Sequence, residues 1–161
     1  MDHLWAPWRR EYLTGMLPPE TDPGCVFCRA PGEPPDTSLV VHTGTHAYVL
    51  LNRYPYNTGH VMVLPYRHLA SLTELSADEL REVAELVQRG EAALTAEYRP
   101  HGINVGINLG LSAGAGLRDH LHVHLVPRWN GDTNFISVVG ETRVLSEDLS
   151  VTLGRLRAAW R

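Results

Sequence analysis

The chain has 161 residues, 43% of them hydrophobic and 20% charged, with a formal net charge of −4. This is the composition of an ordinary soluble protein, with enough chain for one domain over residues 1–161 and too little for two. The acidic balance argues against nucleic acid as a partner, since that affinity scales with the phosphates neutralised by basic side chains.

No apolar run reaches the length of a membrane span, and the start, Met1-Asp2-His3-Leu4-Trp5, lacks the charged-then-apolar order of a signal peptide. A cytoplasmic protein with no membrane partner is the expectation. Residues 1–24 are aromatic and Pro-rich and are expected to wrap over the domain, because Trp5, Trp8, Tyr12 and Leu13 need burial. Cys25-Val26-Phe27-Cys28 follows, then a turn-rich stretch, Pro31–Asp36. In a reducing compartment this spacing suggests a metal knuckle or a redox pair; two buried thiols are the plainer reading.

Leu39–His42 and Ala47–Leu51 read as a strand pair around Thr43-Gly44-Thr45, and His60–Pro65 as a third strand after the turn Asn57-Thr58-Gly59. Ser76 and Glu79 form a capping box at the start of a long helix. Its apolar positions are Leu80, Val83, Ala84, Val87, Leu94 and Tyr98, interrupted by Gly90 and stopped by Pro100. His101–Leu109 gives a fourth strand, Gly110–Arg118 a glycine-rich loop, and Asp119–Val126 a fifth strand that Pro127-Arg128-Trp129 ends. Asn130-Gly131-Asp132 is a turn. Leu149, Leu153, Leu156 and Trp160 mark a closing helix capped by Ser146. Strands joined by short turns favour an antiparallel α+β arrangement.

The fifth strand carries the chemistry. In His120-Leu121-His122-Val123-His124, imidazole alternates with aliphatic residues, so period 2 puts three histidines on one face. Neighbours at i and i+2 lie roughly 6.5–7 Å apart, so one metal could bind two of them and would stretch to the third. Alternatively the central His is a nucleophile between holding groups, or the strand belongs to a metal-dependent binding module. The preceding Ser112-Ala113-Gly114-Ala115-Gly116 favours the nucleophile, because small residues let backbone N–H groups hold a phosphoryl centre during in-line attack.

His120–Val126, HLHVHLV, resembles the signature of the histidine triad (HIT) nucleotide hydrolases and transferases. The likeness extends through CVFC, LLNRYPYNTGHVMVLP, YRHLASLTEL, the long helix and the glycine loop. It implies a five-stranded antiparallel sheet with a long helix and a C-terminal helix, in a homodimer joined through the helix and a strand. It further implies that His122 attacks an α-phosphorus to form a nucleotidyl-imidazole, which water or another acceptor resolves. By the same resemblance, His124 is catalytic and phosphate-binding on the leaving-group side. Asn52 binds ribose, Asn108 reaches ribose or phosphate, Gly114, Ala115 and Gly116 hold phosphate, and His60 stands behind the nucleophile. Cys25, Cys28, His68 and His120 look like the Zn2+ set of bacterial members, closed and therefore structural.

Hydrolases of the family carry Gly-Gln-Ser/Thr-Val before the histidines, where this chain has Gly114-Ala115-Gly116-Leu117-Arg118-Asp119. That departure, with LWAPWRREYL and the run from Pro127 to Phe135, is similar to the bacterial diadenosine tetraphosphate phosphorylase branch. Phosphorolysis to ADP and ATP is then expected. Hydrolysis or phosphoramidase action releasing AMP is the alternative, and a nucleotide-binding adaptor the alternative of another class. A phosphate acceptor needs a second anion site near His122, from the Ser112–Gly116 backbone with Arg118 or Arg128. Arg128 and Asn134 read equally well as a solvated strand end and a loop cap. For Trp129 and Phe135 core burial is the safer reading, a dimer interface the other.

Overall fold

The computed structural model describes residues 24–114, 119–132 and 146–160. In chain order the elements are a short helix α1 (Val26–Arg29), strands β1 (Val40–Thr43), β2 (Ala47–Leu51) and β3 (Val61–Pro65), the long helix α2 (Ala77–Tyr98), strands β4 (Gly102–Ile107) and β5 (Val123–Arg128), and helix α3 (Leu149–Ala159). The strands form one five-stranded sheet in the order β1-β2-β3-β5-β4, with every neighbouring pair antiparallel. This is the α+β architecture the sequence predicts.

Both faces of the central strands are covered, which is why β2 and β3 read as unbroken apolar runs rather than alternating ones. One face, with Val49, Leu51, Val61, Val63, Val123 and Leu125, packs against Val83, Leu86 and Leu94 of α2 and Leu156 of α3. The other, with Tyr48, Leu50, Met62 and Leu64, packs against Phe27 and Ala30. The even-numbered β5 residues share the second face, since His124 stands opposite Met62. The histidines therefore open on the side away from the long helix.

The capping box at Ser76 and Glu79 forms as predicted. Glu79 does more than cap, because Arg67 Nε and Nη2 donate to its two carboxylate oxygens at 2.6 and 2.7 Å. The Arg67 hydrogen bond, with the Ser76 backbone N–H, lowers the Glu79 pKa to about 2. The ion pair ties the segment before His68 to the start of α2. Gly90 does not interrupt the helix. A Cβ there would come within 2.8 Å of Leu125 Cδ2 and 3.3 Å of Trp160 Cη2, so the bare backbone lets β5 and Trp160 seat against α2.

Several boundaries differ from expectation. β1 runs Val40–Thr43, β3 starts at Val61 and β4 spans Gly102–Ile107. Leu80, counted on the apolar face of α2, is half-exposed. The cap of α3 is Asp148, whose carboxylate accepts from Ser150 N at 2.8 Å, while Ser146 Oγ pairs with Thr58 Oγ1 at 3.1 Å. The helix begins at Leu149, too far along for Ser146 to reach its first free N–H groups.

The fifth strand is displaced from its predicted span. It starts at Val123 and runs through Pro127 to Arg128. Pro127 is tolerated because β3 pairs only as far as Leu125, leaving no N–H to satisfy on that side, and the Pro127 carbonyl accepts from Asn57 Nδ2 at 3.0 Å. His120–His122 lie ahead of the ladder, and Leu121 N instead donates to Leu69 O at 2.6 Å. The predicted wrapping segment, apart from Gly24, lies outside the described residues, as do Ala115, Gly116, Arg118, Asn134 and Phe135. Trp129 is half-buried rather than core.

Candidate active site

Ring nitrogens and their partners fix the proton positions along the histidine row. His122 Nδ1 lies 2.8 Å from the backbone carbonyl of His120, an acceptor only, so Nδ1 carries the hydrogen and Nε2 keeps its lone pair. The backbone N–H of Tyr56, a donor only, reaches His60 Nδ1 at 3.1 Å. His60 therefore carries its hydrogen on Nε2 and donates it to His124 Nδ1 at 2.9 Å. Neutral His124 is left with its hydrogen on Nε2. A nucleophilic nitrogen and an N–H donor stand on neighbouring rings whose centroids are 4.8 Å apart.

Asn52 stands beside His60: its Oδ1 accepts from Tyr54 N at 2.9 Å, and its Nδ2 approaches His60 Nδ1 at 3.2 Å. Phe27 packs on His122 at 5.2 Å between centroids, and Tyr56 on His60 at 4.5 Å. Burial lowers the pKa of His122, the His120 hydrogen bond partly opposing it. For His124 burial, with His122 beside it, brings the pKa down to about 4. Both rings are thus held neutral at physiological pH, the state in which one can attack and the other donate.

His120 leaves the row and turns to a second cluster. Its Nε2 donates to Pro65 O at 2.9 Å, which leaves Nδ1 unprotonated, 3.4 Å from Cys25 Sγ and 3.5 Å from Cys28 Sγ. Cys28 Sγ lies 3.4 Å from His68 Nδ1, and all four donor atoms fall within 4.8 Å of one another. A tetrahedral ion with ordinary Zn–S and Zn–N bonds sets sulfur and nitrogen roughly 3.6 Å apart. The donor set fits such an ion. Partial burial, and then Cys25 beside it, raise the Cys28 thiol pKa, so a cation is what would keep the Cys28 sulfur a thiolate. The predicted metal residues are brought together. Asn52 instead contacts His60, and Asn108 lines the cavity next to His124.

That cavity, of about 300 Å³, opens from His124 along the sheet and is lined by Asn104, Gly106 and Asn108 of the β4 side, Arg128 and Asp132 beyond β5, and Tyr56 and Asn57. Gly114, with φ +89°, is half-buried, and the phosphate-holding role expected of the loop falls mostly outside the described residues. Sequence reasoning overlooked Asp132, filed as a turn residue. It accepts from Arg128 Nε at 2.6 Å and Nη2 at 2.8 Å, from Asn57 Nδ2 at 2.7 Å and from Trp129 N at 3.2 Å. The spacing of Arg128 and Asp132 was the available signal. The His120 carbonyl had none, since any backbone oxygen reads alike.

A HIT domain model matches residues 34–131. The chain belongs to the HIT family. A Mycobacterium tuberculosis protein named AP-4-A phosphorylase is 41% identical over 99% of this chain and 85% of its own length. That relative is an enzyme by name, and this HIT chain is likewise an enzyme of the family. Among solved structures, a zinc-bound histidine triad family protein from Mycobacterium smegmatis is 28% identical with a TM-score of 0.68, covering 85% of this chain and 93% of its own. A hypothetical histidine triad nucleotide-binding protein from Sulfolobus tokodaii is 27% identical with a TM-score of 0.68, over 84% and 91% of the two chains. No helix among the described residues is long and apolar enough to cross a membrane.

Proposed function

We infer that this protein transfers a nucleoside monophosphoryl group through His122, acting on dinucleoside polyphosphates and foremost on diadenosine tetraphosphate. The observation that carries the reading is the His120 carbonyl 2.8 Å from His122 Nδ1, which aims an unprotonated Nε2 outward beside a donating His124. Nε2 attacks the α-phosphorus, the bond to the bridging oxygen breaks, and ATP leaves with His124 Nε2–H stabilising the departing oxygen. Inorganic phosphate then attacks the adenylyl-His, forming ADP and returning the electron pair to His122. Asn108 and the Gly114–Gly116 backbone hold phosphate oxygens, Asn52 steadies His60 and reaches ribose, and His60 fixes the His124 proton.

The 41% identity to the protein named AP-4-A phosphorylase favours phosphate over water as acceptor. Incubation with diadenosine tetraphosphate, with and without phosphate, tests this. ADP plus ATP formed only with phosphate is expected. AMP plus ATP without phosphate would instead make it a hydrolase of the family, and binding without turnover an adaptor.

Cys25, Cys28, His68 and His120 would hold zinc, and the zinc-bound relative supports that reading. A four-ligand site has no open position, so the ion would supply rigidity rather than Lewis acidity. Its effect on catalysis would pass through His120, one residue offering a ring nitrogen to the cluster and a carbonyl to His122. The dimer expected of the family has support in β4, an edge strand carrying Val105, 50% exposed, between half-buried Ile103 and Ile107, while α2 lies over β2, β3 and β5. A reducing cytoplasm suits the free thiols of Cys25 and Cys28.

A further inference from the structure

We propose that Tyr48 is a positioning residue that acts on His122 through Phe27. The hydroxyl of Tyr48, a fully buried side chain of β2, donates to the Phe27 backbone carbonyl at 2.6 Å. The sequence of α1 explains why that carbonyl needs an outside donor. Arg29 and Ala30 keep helical dihedrals, so the N–H four residues after Phe27 would close the next helical bond. That residue is Pro31, which has no N–H. The Ala30 N–H is already engaged by the Val26 carbonyl. Tyr48 supplies the donor that the proline lacks, at a buried site where an orphaned carbonyl is costly.

Tyr48 is itself held in place. Its ring stacks on Tyr66 with centroids 5.3 Å apart, and Tyr66 Oη donates to Gly44 O at 3.2 Å. Its backbone pairs with Leu64 of β3. The sheet therefore sets the position of α1 above it. Phe27, carried on α1, stands against both histidines: its ring lies 5.2 Å from His122, tilted by 57°, and 5.6 Å from His120, edge-on at 83°.

The His120 carbonyl fixes one atom of His122, Nδ1, and leaves the ring able to swing about that hydrogen bond. Phe27 blocks the swing on one side, and His124 meets the ring edge-on on another. In-line attack depends on where Nε2 points, so a small shift of α1 redirects the attacking nitrogen. The effect on rate rests on the His122 reading given above; the chain of contacts from Tyr48 through Phe27 to His122 does not. Phe27 also packs in the apolar cluster with Ala30, Leu50, Met62 and Leu64, so the test must separate positioning from stability.

Tyr48→Phe removes one oxygen and keeps the ring. Carbon–proton NMR correlations of the His122 ring in the full chain, assigned by their loss in His122→Ala, report the ring current of Phe27. Phe27→Leu supplies the reference position for a His122 without that ring. In Tyr48→Phe the signals should move from the wild-type position toward that reference. On diadenosine tetraphosphate, kcat per folded molecule should fall by about tenfold, as for a slightly misdirected nucleophile, with KM within about twofold. Pro31→Ala returns an N–H four residues after Phe27, so adding it to Tyr48→Phe should bring back both the signals and the rate. A role confined to stability would lower the melting temperature of Tyr48→Phe and move neither. Unmoved His122 signals, or an unchanged kcat, would overturn the proposal. So would a Tyr48 hydroxyl proton in wild type that exchanges with solvent as fast as an exposed one, a measurement that needs no variant. Should wild type show no turnover, the activity reading falls, and displaced His122 signals recovered by Pro31→Ala still support the role of Tyr48.

Discussion

His120 contacts both halves of the site at once: its backbone oxygen accepts from His122 Nδ1 at 2.8 Å, and its own Nδ1 lies 3.4 Å from Cys25 Sγ. A single residue links the thiol cluster to the ring proposed as nucleophile, and this linkage sets what substitutions should do.

His122→Ala should abolish turnover of diadenosine tetraphosphate, a loss of at least about a thousandfold as expected for removing a covalent catalyst. AMP binding should persist. Intact-mass measurement during turnover should find an adenylyl adduct on wild type and none on the variant. An active His122→Ala protein would remove the ring from the mechanism.

Cys25→Ser should lower metal content and thermal stability more than it lowers the rate per folded molecule. The loss in melting temperature should be several degrees, in keeping with one missing ligand at a site that restrains three separate segments. Metal analysis and a melting curve on the same sample check it. Unchanged metal and melting point would defeat the structural zinc.

Stability should fall as pH drops from about 6.5 to about 4 because of His124. Its folded pKa is pulled down to about 4 by burial, with His122 beside it, whereas an unfolded imidazole titrates near 6.5. Between those values the unfolded chain binds the extra proton, so protonation favours unfolding; above the window this stabilisation is fully present, and below it it is gone. The rings facing His124 are His60, His122 and Tyr56, none of which supplies a compensating negative charge at these pH values. Between about pH 6.5 and 4 the urea midpoint of wild type should fall more steeply with falling pH than that of His124→Gln. Parallel slopes would count against the assignment.

Gly90→Val should destabilise by about 1–3 kcal/mol, the usual cost of overpacking, because its Cβ enters the space held by Leu125 and Trp160. Gly154→Ala, on α3 with nothing near its added Cβ, is the matched control and should be neutral or slightly stabilising. Equal effects at the two positions would show that helix propensity, not packing, decides.

The sequence by itself determined the order of elements, because apolar runs, turn residues and the Ser76–Glu79 box each act over a few residues. It also marked candidate side chains: His122 and His124 through the alternating run at His120–His124, and the Cys25, Cys28, His68, His120 set through the family resemblance. Tertiary structure decided how they meet. Which ring nitrogen carries a proton depends on Tyr56 N, His60 and the His120 carbonyl, contacts made by chain segments far apart and by backbone atoms that carry no residue identity. It also decided that Arg128 is held by Asp132 and Asn104, that Pro127 stays in the strand where β3 has already ended, and that Gly90 is a packing position rather than a break. Those outcomes turn on which atoms face one another across the sheet, and that is settled only when the whole chain has closed on its core.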